Sequence, residues 1–182
     1  MRIAQGNLSK LGEIMNKTIL PSKVDVVALA KASVLDENGN GVLLASLWQR
    51  QTSIFIFLRH FACIGCRSHA QEVWRDRQRY ESGGAKIIFI GNGEASAIHR
   101  FKEDLGIEDA PVYTDPGLAS FKAAGFKRGF LTALGPRSIA NGLKMFAQGD
   151  RQAAYTKDSG DLWQLGGILV MRPDGRVAYH YI

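Results

Sequence analysis

The stretch Thr52-Ser-Ile-Phe-Ile-Phe-Leu-Arg-His-Phe-Ala-Cys-Ile-Gly-Cys-Arg-Ser-His69 is an apolar run that ends in Cys-x-x-Cys and then passes into a helical pattern. It contains the chain's only two cysteines. Residues 54–58 are continuously apolar with β-branched and aromatic members, the pattern of a strand buried on both faces, and a central parallel strand is expected there. Beyond Cys63 the period changes. Cys66, Ala70, Val73, Trp74 and Arg77 recur at spacings of three and four, with Arg67, Gln71, Glu72, Arg75 and Asp76 on the other side, so an amphipathic helix is expected from Ile64 to Glu81. The pair therefore stands where a strand ends and a helix begins. Unpaired amides and the positive end of the helix dipole favour an anion at that point, which makes a thiol there more acidic than a free one. The spacing sets the sulfurs about one helical turn apart, close enough to bridge.

Working outward, Gly83-Gly84 stops this helix and Ala85-Lys-Ile-Ile-Phe-Ile-Gly91 repeats the buried-strand pattern. A helix from Glu94 to Leu105 follows, with Gly106 as its stop. Pro111-Val-Tyr-Thr-Asp115 reads as a short strand, and Pro116 suits the first turn of a helix ending at Gly125. Strands alternating with helices predict an α/β protein with a mostly parallel sheet covered on both faces. Upstream, Leu8, Leu11, Ile14, Met15 and Ile19 predict a short helix ended by Pro21. Ala28–Leu35 and Gly41–Leu44, separated by Asp36-Glu-Asn-Gly-Asn40, predict a β-hairpin. Downstream, Pro136–Gln148 has helical spacing and 149–160 has loop composition, so residues 126–161 are expected to form an insertion over the active-site end. Gly167–Met171, the turn Arg172-Pro-Asp-Gly175 and Arg176–Ile182 predict a closing hairpin. The expected organisation is one domain over 1–182, with a helical N-terminal extension over 1–25.

Composition narrows the function classes. With 182 residues, 46% hydrophobic and 22% charged, the chain reads as a globular domain able to bury a core without disulfides or metal. The net charge of +6 comes from scattered Lys and Arg, so nucleic acid is not an expected partner. Met1–Lys10 lacks the apolar segment of a signal peptide, and no window approaches about 18 apolar residues, so a cytoplasmic location without a membrane partner is expected. In a reducing compartment, paired cysteines point to catalysis or metal binding rather than to a structural staple.

In the redox reading of the pair, one thiolate attacks a peroxide or a disulfide and the other resolves the product into an internal disulfide. Two buried inert thiols are the alternative. His60 and His69 could complete a zinc site, but the second paired cluster of the usual zinc spacings is missing, and neither metal nor cofactor is expected. Arg67 stands where covalent haem attachment needs a histidine. Arg59 and Arg67 are the candidates for lowering a cysteine pKa, and His60 for assisting proton transfer. Against these stand a buried ion pair for Arg59, a solvent-facing charge for Arg67 and a packed histidine for His60. Trp48, Trp74 and Trp163 read as core or loop anchors. Gly91-Asn-Gly93 superficially suggests a phosphate loop but lacks the full glycine fingerprint.

The order of elements, with Phe57-Leu-Arg-His-Phe-x-Cys63-x-x-Cys66-Arg67, Tyr113-Thr-Asp-Pro116, Leu134-Gly-Pro-Arg137 and Trp163-Gln-Leu-Gly-Gly167, resembles the peroxiredoxin-like branch of the AhpC/TSA group in the thioredoxin-like superfamily. The resemblance runs from about Ser33 to Ile182. It implies a thioredoxin-like fold: a central mixed β-sheet flanked by helices. It also leaves a choice open. The peroxiredoxin active loop Pro-x-x-x-Thr-x-x-Cys, laid over this chain, puts Pro on Arg59, Thr on Cys63 and the attacking cysteine on Cys66, whereas the thioredoxin pattern makes Cys63 the attacker. Gly166-Gly167 stands where thioredoxins keep a cis-proline and near where peroxiredoxins keep an arginine. The helix that usually closes such folds has no counterpart after the last hairpin, so one sheet face is expected to be thinly covered unless the N-terminal helix or a second subunit in a homodimer supplies it. The resemblance implies a thiol-dependent oxidoreductase that reduces peroxides or disulfides through a reversible Cys63–Cys66 disulfide. Its electron donor would be of thioredoxin, glutaredoxin or glutathione type. A non-catalytic redox-sensing or binding module on the same scaffold is the alternative.

Overall fold

The structure, a computed structural model, describes residues 23–129 and 155–182. The expected N-terminal helix at 8–19 and the expected helix at 136–148 lie outside those residues. The described strands are β1 (Ser33–Leu35), β2 (Gly41–Leu43), β3 (Thr52–Phe57), β4 (Ala85–Gly91), β5 (Val112–Thr114), β6 (Gly167–Met171) and β7 (Val177–Tyr181). They form one sheet in the order β2-β1-β5-β4-β3-β6-β7. Only β3–β4 and β4–β5 pair in parallel, while β1–β2, β1–β5, β3–β6 and β6–β7 are antiparallel. The sheet is therefore mixed rather than mostly parallel, because hairpins contribute the strands at both edges.

The described helices are α1 (Val26–Lys31), α2 (Ile64–Arg75), α3 (Gln78–Glu81), α4 (Ser96–Leu105) and α5 (Ala119–Ala123). β3 is buried on both faces because its alternate side chains enter two separate cores. Phe55 and Phe57 pack with Leu29, Trp48, Ile88, Ile90 and Phe121. Ile56 and Leu58 pack on the other face with Ala70, Trp74, Ile87, Phe89 and Phe101. Burying a side chain of this size contributes roughly 1.5–3 kcal/mol. The aromatic face is interlocked by Phe57, whose ring centroid lies 4.9 Å from that of Phe121 and 4.8 Å from that of Phe126.

Three boundaries differ from the expectations, each through a local polar contact. The first arm of the predicted hairpin is largely helical. Asp25 accepts from the Ala28 amide at 2.9 Å and caps α1, leaving only Ser33–Leu35 as strand. The helix expected to reach Glu81 breaks after Arg75, where i→i+3 bonds such as Arg77 N–H to Trp74 O, 3.2 Å, tighten the turn and the Arg77 guanidinium sits 4.8 Å from the Trp74 ring centroid. The helix after β5 starts at Ala119 rather than at Pro116. The buried Asp115 carboxylate accepts from both the Ser120 amide and hydroxyl at 2.6 Å, and Leu118 turns the chain with φ 60°. The closing hairpin forms as expected. On the sheet face carrying Ile168, Val170, Tyr179 and Tyr181, Tyr179 is 44% and Tyr181 60% exposed.

Candidate active site

β3 and β4 run parallel and β6 runs back against β3, so the residues after β3, those after β4 and those before β6 meet at one end of the sheet. The loop after β3 carries Arg59 to Cys63. A Cys63 N–H to His60 O bond of 3.1 Å turns it, and the Phe61 amide donates to Ser159 O at 2.9 Å. The tip of the Phe61 ring reaches Gly91, where any Cβ would overlap it. α2 then starts with Cys63 as its N-cap residue, and Cys66 lies in its first turn, packed against the core that holds Ala70 and Trp74. Both cysteines are free and half-buried.

The two thiols are not equivalent. Cys63 is lowered from the ordinary 9.0 to about 6, first by the hydrogen bond from the Cys66 thiol, then by the amide of Cys66, the Arg59 charge and the amide of Gly65, together outweighing desolvation. Cys66 is raised, first because its proton is held in the bond to Cys63, then by burial and by the neighbouring thiolate. The placement agrees with this direction: Cys63 is the N-cap residue of α2, at the positive end of the helix dipole although its side chain makes no capping hydrogen bond, and Cys66 packs against the core. Cys66 Sγ also accepts from the Arg59 amide at 3.3 Å. In the reduced pair Cys63 is therefore the more acidic thiol and Cys66 the less acidic one.

Of the sequence-selected residues, Arg59 and His60 lie on the sulfur side. Arg59 Nη2 donates weakly to Leu162 O at 3.5 Å, and its buried Nε has no partner among the described residues. His60 is buried, with its ring edge-on to Tyr155 at 5.9 Å and Nδ1 without a partner among the described residues. Its pKa is lowered to about 4 by desolvation and then by Arg59, against the pull of Asp161, so the ring is neutral at physiological pH. Arg67 does not join them. It points to α4, where Nη2 bonds Asp104 at 3.0 Å and the guanidinium sits 5.8 Å from the Phe101 ring centroid. His69 is exposed on α2, and among the described residues no group of three His, Cys, Asp or Glu stands close enough to hold a metal ion. Gly166 lies beneath the site, and a Cβ there would overlap Phe57 O. The sequence reading did not select Asn92, Tyr155 or Asp161 for the site. No local signal marked the last two, while Gly91-Asn-Gly93 was visible only as a poor phosphate loop.

Residues 72–182 match the family model described as "AhpC/TSA antioxidant enzyme", a match that begins just after the cysteine pair. The thioredoxin-like protein AAED1, chloroplastic, of Arabidopsis thaliana is 30% identical over 151 residues, covering 80% of this chain and 60% of that protein. The chain therefore spans less than two thirds of that relative. The prostamide/prostaglandin F synthase of Xenopus laevis is 30% identical over 162 residues, covering 85% of this chain and 79% of the relative. Among solved structures, the peroxiredoxin Q of Xanthomonas campestris superimposes with a TM-score of 0.60 at 14% identity, covering 85% of this chain and 82% of that one. The peroxidoxin BcpB of Mycobacterium tuberculosis gives a TM-score of 0.58 at 16% identity, covering 80% and 77%. The architecture is thus the thioredoxin-like fold of peroxiredoxins. Among the described residues no helix is long and apolar enough to cross a membrane.

Proposed function

This chain belongs to the AhpC/TSA antioxidant enzyme family, and on that premise we propose that it is a thiol-dependent peroxide reductase in which Cys63 attacks and Cys66 resolves. The observation that carries the reading is the asymmetry of the reduced pair, with Cys63 near 6 and Cys66 raised. The Cys63 thiolate attacks one oxygen of a hydroperoxide. The S–O bond forms as the O–O bond breaks, and the leaving alkoxide departs with a proton as an alcohol, or as water from hydrogen peroxide. Cys66 sulfur then attacks the Cys63 sulfenic acid, forming the Cys63–Cys66 disulfide and releasing water. A thiol donor of thioredoxin, glutaredoxin or glutathione type reduces that disulfide by exchange and is itself oxidised to a disulfide.

Arg59 supports the thiolate by charge and, through its amide, holds the resolving sulfur. Neutral His60 lines the site without adding a second cation. Arg67 has a packing role through Asp104. Gly166, which has no room for a side chain where thioredoxins keep their cis-proline, favours a small peroxide over a protein disulfide.

Stopped-flow oxidation followed by thiol titration tests this, with hydrogen peroxide, cumene hydroperoxide and the prostaglandin class named by the relatives as the panel. The wild type is expected to lose both thiols and gain an intrachain disulfide. Cys63→Ser should fall about a thousandfold or more, to the rate of an ordinary thiol. Cys66→Ser should react once and stall at the sulfenic acid. Reaction of both wild-type thiols at the rate of free cysteine would overturn the assignment.

A further inference from the structure

Asn92, just past the end of β4, is 3% exposed, and its side-chain hydrogen bonds among the described residues go to main-chain groups of the loops that build the site. Its Nδ2 donates to Arg59 O at 2.7 Å and to Asp161 O at 3.4 Å, and its Oδ1 accepts from the Asp161 amide at 3.1 Å. The carboxamide therefore acts as a stretch of borrowed backbone, joining the loop after β3 to the one before β6. The surroundings are shaped to admit it. A Cβ on Gly160, which has φ 109°, would overlap Asn92 Oδ1, and a Cβ on Gly93 would overlap Asp158 O. The Glu94 amide donates to Asp158 O at 2.9 Å, closing the same seam one residue further on.

The chemistry lies one bond away. The residue whose carbonyl Asn92 holds is the residue whose amide donates to Cys66 Sγ at 3.3 Å. We propose that Asn92 is a positioning residue for the cysteine pair, its buried carboxamide clamping the Arg59 main chain so that the Arg59 amide stays on Cys66 and the guanidinium stays beside Cys63. Asn92 touches neither sulfur and acts through Arg59. The inference rests on the Cys63-attacker reading and deepens it by naming what holds the loop in register. Among the described residues, the charged and titratable groups that act on Cys63 are Cys66 from α2 and Arg59 from the loop after β3; His60 feels Arg59 and Asp161, and Asp161, in the loop before β6, is paired with Arg128.

The test is the pH profile of iodoacetamide alkylation at each cysteine, mapped by mass spectrometry, beside a melting curve. In Asn92→Ala the Cys63 midpoint should move up by about one pH unit as Arg59 loses its register. Gly160→Ala, which displaces the same carboxamide without altering it, should move the midpoint in the same direction. Asn92→Gln, which keeps both donor and acceptor, should recover part of the shift. A folded Asn92→Ala with a lowered melting temperature and an unmoved Cys63 midpoint would reduce Asn92 to a packing residue and overturn the proposal. If that variant does not fold, Asn92→Ser and Gly160→Ala are read by the same criterion. A wild-type protein in which neither thiol is acidic would instead defeat the assignment of Cys63 as attacker, so the two failures are distinguishable.

Discussion

On the sulfur side of the cysteine loop, Arg59 has no partner for its Nε among the described residues and lends its charge to Cys63. On the helix side, Arg67, one residue past Cys66, is 10% exposed at its side chain and tied to Asp104, with Phe101 beneath it. Both are permanent cations close in sequence to the pair, yet only one acts on the thiolate. The difference comes from periodicity. Arg67 follows Cys66 on α2 by about 100° of rotation, which turns it away from the sulfurs and toward α4. Arg59 precedes the helix on a loop whose main chain already bonds Cys66.

The comparison can be broken at three points. The largest effect belongs to His60, which titrates at about 4 when folded against an ordinary 6.5. Between those values the unfolded chain binds a proton that the folded chain refuses, so stability falls as pH drops from about 6.5 to about 4. The full difference is about 3 kcal/mol. Urea midpoints measured across that range should decline in the wild type and flatten in His60→Gln. Equal slopes in both would mean that the sulfur side is less desolvated than its burial implies.

Next in size is Arg59→Met, which should raise the Cys63 alkylation midpoint by about one pH unit, equivalent to about 1.4 kcal/mol. Arg67→Met should leave that midpoint in place. A shift of similar size from both variants would erase the distinction between the two sides. The smallest effect is expected from Asp104→Ala. It strands the Arg67 cation, but Asp104 is 39% exposed, so water screens the pair and the loss should be about 1 kcal/mol, read as a lower melting temperature. Thiol acidity should not change in that variant.

The parts legible in the sequence were those governed by short-range pattern. The buried run at β3, the change of period at Ile64 and the Pro-Asp-Gly hairpin turn each depend on neighbours within a few positions, and each forms as read. Ala28–Leu35 has a composition that suits either state, and the Asp25 cap settles its first half as the helix α1. The start of α5 was misplaced because Pro116 gave a visible local signal, whereas the Asp115 carboxylate that organises the turn is recognisable only once it is buried against Ser120.

For the site itself, spacing alone put two sulfurs at the start of a helix, and that much the sequence determined: a strand end, an N-cap and a second thiol one turn on. Which thiol is the more acidic, which arginine lends it charge and why Asn92 is buried depend on the tertiary structure alone. The contacts responsible join residues far apart in the chain, Arg67 to Asp104, Arg59 to Asn92 and Asn92 to Asp161. Electrostatics and desolvation depend on distance in space, and here that distance is fixed by the pairing of β3 with β4 and β6, which no local pattern encodes.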